Sequence, residues 1–192
     1  MAVIAANTPR RYANRVTRLG RESLWDLGPE ALATIAPLPY GQPSKAYRDQ
    51  WVQVIMAVME EEQMKCGKPI VDSTPADSGA AGAHQSAHGN MGNQLHSQVL
   101  WDATMAYWIN DHLVRHPDAL VLHMVGSFHV ARGTGIPEQL ERYRPGTSSI
   151  IVMMRAVEDI TKFETAPSGT WGDFVIQTDE SHTLEAIECR NQ

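Results

Sequence analysis

Hydrophobic residues recur at three- and four-residue spacing in two long segments of this chain, which predicts two amphipathic helices. They run from about residue 44 to 65 and from about residue 94 to 116. The apolar face of the first is expected to consist of Trp51, Val54, Ile55, Val58 and Met59. A shorter helix is predicted from Thr8 to Leu19, because Pro9 suits a first turn and Gly20 interrupts the pattern.

Short apolar runs between the helices predict β-strands. The run from Leu120 to Val125 is near-continuous, so it is expected to be a central strand buried on both faces of a parallel sheet. Further strands are expected at residues 2–6, 148–154 and 173–178. Strands that alternate with helices predict an α/β fold, here a layered α/β/α domain with a mostly parallel sheet. The domain is expected to cover residues 1–178, followed by a tail at 179–192.

Residues 66–93 are rich in small residues, which predicts a long loop between the two main helices. His84, His88 and His96 lie within this loop or just after it. They are either histidines without a role or part of a ligand-binding flap, and the sequence leaves both interpretations open.

Charge and hydropathy disfavour two classes of partner. The formal net charge is −6, whereas phosphate binding needs a basic surface, so no nucleic acid is expected as a partner. The longest apolar run is far shorter than the roughly 20 residues of a membrane-spanning helix, so no transmembrane segment is predicted. The apolar residues 2–6 are too few for a secretory signal, and no basic residue precedes them.

His129 is the first candidate site residue. It follows the predicted strand 120–125, and open α/β sheets bind ligands at the carboxyl ends of their strands. Gly126 ends the apolar run, and the later glycines Gly133 and Gly135 form a loop that leads into a helix. His123 lies inside the predicted strand and is expected to be a core residue.

Asp102 is the second candidate, because it interrupts the apolar face of the helix from about residue 94 to 116. A buried carboxylate must be paired, hydrogen-bonded or turned toward a pocket. Asp102 is therefore either part of a site or a structural hydrogen-bond acceptor. Gln98 lies one turn earlier and is expected to face the same region.

Three motifs carry a family resemblance when they are taken in chain order. They are Asn7-Thr8-Pro9-Arg10-Arg11, Gln98-x-x-Trp101-Asp102-x-x-Met105-Ala106, and Gly126-x-x-His129 followed by Gly133-x-Gly135-Ile136-Pro137-x-x-Leu140. With them the chain resembles the ChaN-like haem-binding uptake proteins of the Tiki superfamily. The resemblance implies a haem cofactor, bound non-covalently because no Cys-x-x-Cys-His motif is present.

The resemblance implies a set of cofactor-binding residues, namely His129, Gln98, Asp102, Arg10, Phe128 and Gly126. Arg10 would pair with a haem propionate, although an exposed helix surface is the simpler interpretation. An alternative is a metal-dependent hydrolase of the wider Tiki and erythromycin-esterase-like group. His129 and Asp102 would then be catalytic, and His129 and His96 would be candidate ligands for a divalent metal.

Members of the resembled family usually carry a signal segment and a further strand with a Gly-x-x-His-like motif upstream of anything seen here. The resemblance therefore implies that the chain lacks its first strands and that the full-length protein is periplasmic or membrane-anchored. A strand at 2–6 would then have an uncovered neighbour, and such an edge favours association. A homodimer is accordingly expected.

Overall fold

The computed structural model describes residues 2–66, 87–162 and 171–182. Its helices are α1 (Arg10–Leu19), α2 (Pro29–Leu32), α3 (Lys45–Cys66), α4 (Ala87–Arg115) and α5 (Ile136–Tyr143). Its strands are β1 (Val152–Val157) and β2 (Phe174–Asp179). Short 3-10 helices occur at Arg21–Asp26, Ser127–His129, Ala131–Gly133 and Glu180–His182.

Helix α4 is the centre of the described part, with α1 and α5 packed against it. One hydrophobic cluster joins α1, α3 and the first half of α4 through residues such as Val16, Tyr47 and Leu100. A second cluster joins the second half of α4 to α5 through residues such as Ala106 and Leu140. Asp102 lies on α4 between residues of the two clusters and is buried.

Local hydrogen bonds and backbone conformation explain where α3 begins and where α1 ends. Ser44 caps α3, because its Oγ accepts the backbone N–H of Tyr47 at 3.0 Å. The same Oγ donates to Glu138 Oε1 at 2.6 Å, which ties the start of α3 to α5. Gly20 ends α1 with a φ of 82°, a conformation that favours glycine. Helices α1 and α3 lie close to the helices predicted at residues 8–19 and 44–65. Helix α4 begins earlier than predicted, as described below.

The prediction of a doubly buried strand at 120–125 is wrong. The segment is extended, but among the described residues only β1 and β2 form a ladder, a parallel pair in register from Val152↔Phe174 to Val157↔Asp179. One side of the segment packs on the second cluster through Ala119, Val121 and Val125. The other side is bare, with Leu120 97%, Leu122 85% and Met124 87% exposed.

Other predicted boundaries also need correction. Residues 2–6 form no regular strand, and β1 lies a few residues after the strand predicted at 148–154. The long loop was predicted through residue 93, whereas α4 already begins at Ala87; residues 67–86, with His84, lie outside the described residues. Most of the tail lies outside them as well.

The predicted apolar face of α3 is only partly correct. Trp51 is buried, but Val54 and Val58 are exposed, because the helix turns Tyr47, Gln50 and Trp51 inward. No helix in the described ranges is long and apolar enough to cross a membrane. Helices with a small parallel sheet are compatible with the predicted α/β class, and the layered arrangement stays a prediction.

Candidate functional site

The structure brings together the two residues that the sequence singled out. His129 Nδ1 lies 2.5 Å from Asp102 Oδ1, although 27 residues separate them in the chain. Asp102 is 1% exposed and comes from the middle of α4, while the His129 side chain is 16% exposed and comes from the turn Ser127–His129. A buried carboxylate therefore holds a partly accessible imidazole.

Tyr47 completes the arrangement, although the sequence analysis did not single it out as a site residue. Its hydroxyl donates to Asp102 Oδ2 at 2.5 Å, so each carboxylate oxygen has one partner. Helical spacing places Tyr47 one turn before Trp51, on the buried side of α3, and that spacing could have identified it as an inward residue. Nothing in the sequence indicated that this side of α3 meets Asp102.

A tight glycine loop closes over the pair from a third direction. Gly135 has a φ of 68°, and a Cβ atom there would lie 2.4 Å from the His129 carbonyl oxygen and 3.1 Å from Asp102 Oδ2. Only glycine fits such a close approach without displacing the backbone. Gln50 Nε2 donates to the Phe128 carbonyl at 3.0 Å, so α3 also fixes the peptide next to His129.

The electrostatics of the pair determine which imidazole nitrogen is available. Burial raises the pKa of Asp102, while hydrogen bonds from His129 and Tyr47 counteract part of that rise. Burial, followed by the nearby Asp102 charge, raises the pKa of Tyr47, so the phenol stays protonated and donates. Because the Asp102 carboxylate accepts at Oδ1, we assign the proton of neutral His129 to Nδ1. Nε2 is then an acceptor, and none of the described residues hydrogen-bonds to it.

Two aromatic rings lie close to the His129 imidazole. The Trp101 ring lies edge-on at 6.2 Å between centroids, and the Phe128 ring lies edge-on at 5.7 Å. Trp101 Nε1 and His123 Nε2 are buried and have no hydrogen-bond partner in the part of the chain that the structure describes. Burial first, and then the proximity of His129, lowers the pKa of His123. His123 thus lies near His129, although the sequence predicted only a core residue.

Of the remaining candidates, Gly126 and Phe128 contact His129 directly. The Gly126 carbonyl accepts the His129 backbone N–H at 3.1 Å, and Phe128 adjoins the imidazole. Gln98 is half-buried on α4, and Arg10 is exposed at the first position of α1.

His96 belongs to a different environment from His129. Burial and the charge of Arg21 lower its pKa, and its carbonyl accepts the Tyr40 hydroxyl at 3.1 Å. Within the described ranges no group of three His, Cys, Asp or Glu side chains is arranged to hold a metal ion. A joint metal site of His96 and His129 therefore gains no support.

Comparison with known protein families gives a match over most of the chain. A family model described as haem-binding uptake, Tiki superfamily, ChaN matches residues 1–140, which include Asp102, His129 and the glycine loop. No curated protein and no solved structure gives a significant match to the chain.

Proposed function

This chain belongs to the haem-binding uptake family of the Tiki superfamily, ChaN, and from that membership we propose that it binds haem non-covalently beside His129. His129 Nε2 would hold the haem iron. The observation that carries this proposal is the hydrogen bond of His129 Nδ1 to the buried Asp102, which leaves Nε2 as the acceptor. Bound haem would supply an iron centre for uptake or handling.

The residues around His129 fit such a ligand. A metal-ligating histidine usually donates its other ring N–H to a carboxylate, which fixes the ring and makes it a better ligand. Trp101 and Phe128 place aromatic rings next to the imidazole, and these would offer apolar surface of the kind that a porphyrin needs. Gly126 is proposed to adjoin the bound group, since a Cβ atom there would lie 3.9 Å from His129 Cδ2, and Gln98 is proposed to line the site from α4. Arg10 is proposed to meet a propionate, since its guanidinium is exposed.

A haemin titration followed in the Soret region tests this proposal. The unsubstituted protein is expected to give a saturable shift of the Soret band. The variant His129→Ala is expected to weaken haemin binding by at least about tenfold, because loss of an anchored metal ligand costs at least as much as loss of its partner. The control is His116→Ala, an exposed histidine that follows α4 at its far end. Equal binding by His129→Ala and the unsubstituted protein would contradict the assignment.

The Asp102–His129 hydrogen bond also favours a second candidate function. A carboxylate that orients a histidine is the usual support for a general base, so the hydrolase of the wider Tiki and erythromycin-esterase-like group is the alternative. Its divalent metal would need ligands beyond His129, and the described residues supply no such group. Stoichiometric zinc or manganese in the purified protein, with no Soret response to haemin, would favour the hydrolase.

A further inference from the structure

Helix α3 contacts the proposed site at two points through one face of its first turns. The Tyr47 hydroxyl reaches Asp102 Oδ2, and Gln50 Nε2 reaches the Phe128 carbonyl next to His129. We infer that Tyr47 is a positioning residue, which holds the Asp102 carboxylate in the rotation that accepts the hydrogen bond from His129 Nδ1–H and so presents Nε2 to the ligand. The ligand in this inference rests on the proposed function, whereas the positioning role does not.

The geometry of Asp102 explains why a second donor matters. A carboxylate has two equivalent oxygens, and a single partner leaves it free to rotate about its Cβ–Cγ bond. Here Oδ1 accepts from His129 and Oδ2 accepts from Tyr47, so rotation would break both hydrogen bonds at once. Asp102 is buried, so water cannot take the place of Tyr47 without a rearrangement of the core.

Tyr47 is itself held firmly enough to act in this way. Its backbone N–H donates to the cap residue Ser44, and Ser44 Oγ donates to Glu138 of α5. Its ring packs against Phe128 with 5.1 Å between centroids. The phenol is therefore fixed from its backbone and from its ring, and its hydroxyl is aimed at Asp102.

The test compares Tyr47→Phe with the matched control Tyr40→Phe. Tyr40 is also a buried tyrosine, but its hydroxyl donates to the His96 carbonyl and does not touch Asp102. The first readout is the nitrogen-15 NMR spectrum of the His129 ring in the protein without added haem. The unsubstituted protein and Tyr40→Phe are expected to show one tautomer, protonated at Nδ1. Tyr47→Phe is expected to show a mixture of tautomers and faster exchange of that proton.

The second readout is the dissociation constant for haemin. Loss of a partner that orients a metal ligand typically weakens binding tenfold or more, so Tyr47→Phe is expected to raise this constant about tenfold. Tyr40→Phe is expected to leave it within about twofold, because its hydroxyl lies outside the network that orients the ligand. Unchanged ring nitrogens in Tyr47→Phe would overturn the positioning role. If the unsubstituted protein fails to bind haemin, the proposed function fails, while the NMR comparison still decides the role of Tyr47.

If Tyr47→Phe does not fold, a further measurement distinguishes a positioning role of Tyr47 from a purely structural one. Incorporation of 3-fluorotyrosine keeps the ring in place and strengthens donation by the phenol. Of the hydroxyls in the described ranges, that of Tyr47 donates to Asp102. The resonance of the His129 Nδ1 proton is expected to move in the fluorinated protein, and an unmoved resonance would overturn the inference.

Discussion

The helical region around Asp102 and the extended region at 119–126 differ in which side chains they bury. In the helical region polar side chains such as that of Thr104 are enclosed: Thr104 Oγ1 donates to the Leu100 carbonyl and accepts the Ala36 N–H. In the extended region large apolar side chains such as Leu122 and Met124 are exposed. β1 shows the same one-sided pattern, with Met153 buried and Met154 exposed.

The difference shows that a residue's burial depends on what packs against its segment as well as on its own polarity. α4 is covered by α1 on one side and α5 on another, so Asp102 is buried despite its charge. Residues 119–125 have a covering layer on one side, and Leu122 is exposed despite its apolar side chain. Buried carboxylates need partners, and Asp102 has two.

The largest effect is expected from Gly135→Ala, at the contact of the glycine loop with the site. The positive φ of 68° and a Cβ placed 2.4 Å from the His129 carbonyl oxygen add backbone strain to a clash. We expect a loss of about 3 kcal/mol in the free energy of unfolding, measured by urea denaturation.

The matched control for this substitution is Gly133→Ala. Gly133 has a similar φ of 71°, but a Cβ atom there would meet nothing within 4 Å. Its loss should be limited to the backbone strain, about 1 kcal/mol. If both variants lose the same free energy of unfolding, Gly135 does not lie as close to the His129 carbonyl as the structure indicates.

A smaller effect is expected from charges introduced on opposite sides of the extended segment. Val121→Asp places a carboxylate against the second hydrophobic cluster and should cost about 2 kcal/mol. Leu122→Asp, one residue later, alters an exposed side chain and should change stability by no more than about 0.5 kcal/mol. Both are measured by urea denaturation. A large loss for Leu122→Asp would mean that this side is covered in solution.

The sequence predicted helices better than strands for a physical reason. Helix α3 was predictable because helical periodicity and the Ser44 cap are local features, although Val54 and Val58 of the predicted apolar face are exposed. A strand needs a distant partner for its backbone groups, and the apolar run at 120–125 contains no information on whether a partner exists. Its near-continuous hydrophobicity predicted burial on both faces. In the structure Val121 and Val125 pack on the second cluster, whereas the side chains that alternate with them, such as Leu122, are exposed.

The candidate site was predicted in the same uneven way. A charge on an apolar helix face indicated Asp102, and a polar residue after an apolar run indicated His129; the structure joins the two. Tyr47 was missed because a tyrosine on an inward helix face looks like any core residue. Only the three-dimensional packing of α3 on α4 brings its hydroxyl to a carboxylate 55 positions away.

The smallest effect we predict is the response of stability to pH, which samples both regions. His96 lies in the helical region and His123 in the extended one, and burial lowers the pKa of both. Below about pH 6.5, the unfolded chain binds protons at these positions that the folded chain does not. Stability should therefore fall as the pH drops from the unfolded pKa toward the lower folded pKa.

His96→Gln and His123→Gln should each remove part of this fall, measured as urea midpoints between about pH 8 and pH 5, on either side of the ordinary histidine pKa. The pKa of Asp102 is raised, so its effect on the free energy of unfolding has the opposite sign: the stability it contributes is fully present at low pH and is lost as the pH rises through the folded pKa. That contribution cancels when each variant is compared with the unsubstituted protein at the same pH. An unchanged slope in His123→Gln, beside a reduced slope in His96→Gln, would mean that the extended segment leaves His123 hydrated and is looser than the helical region.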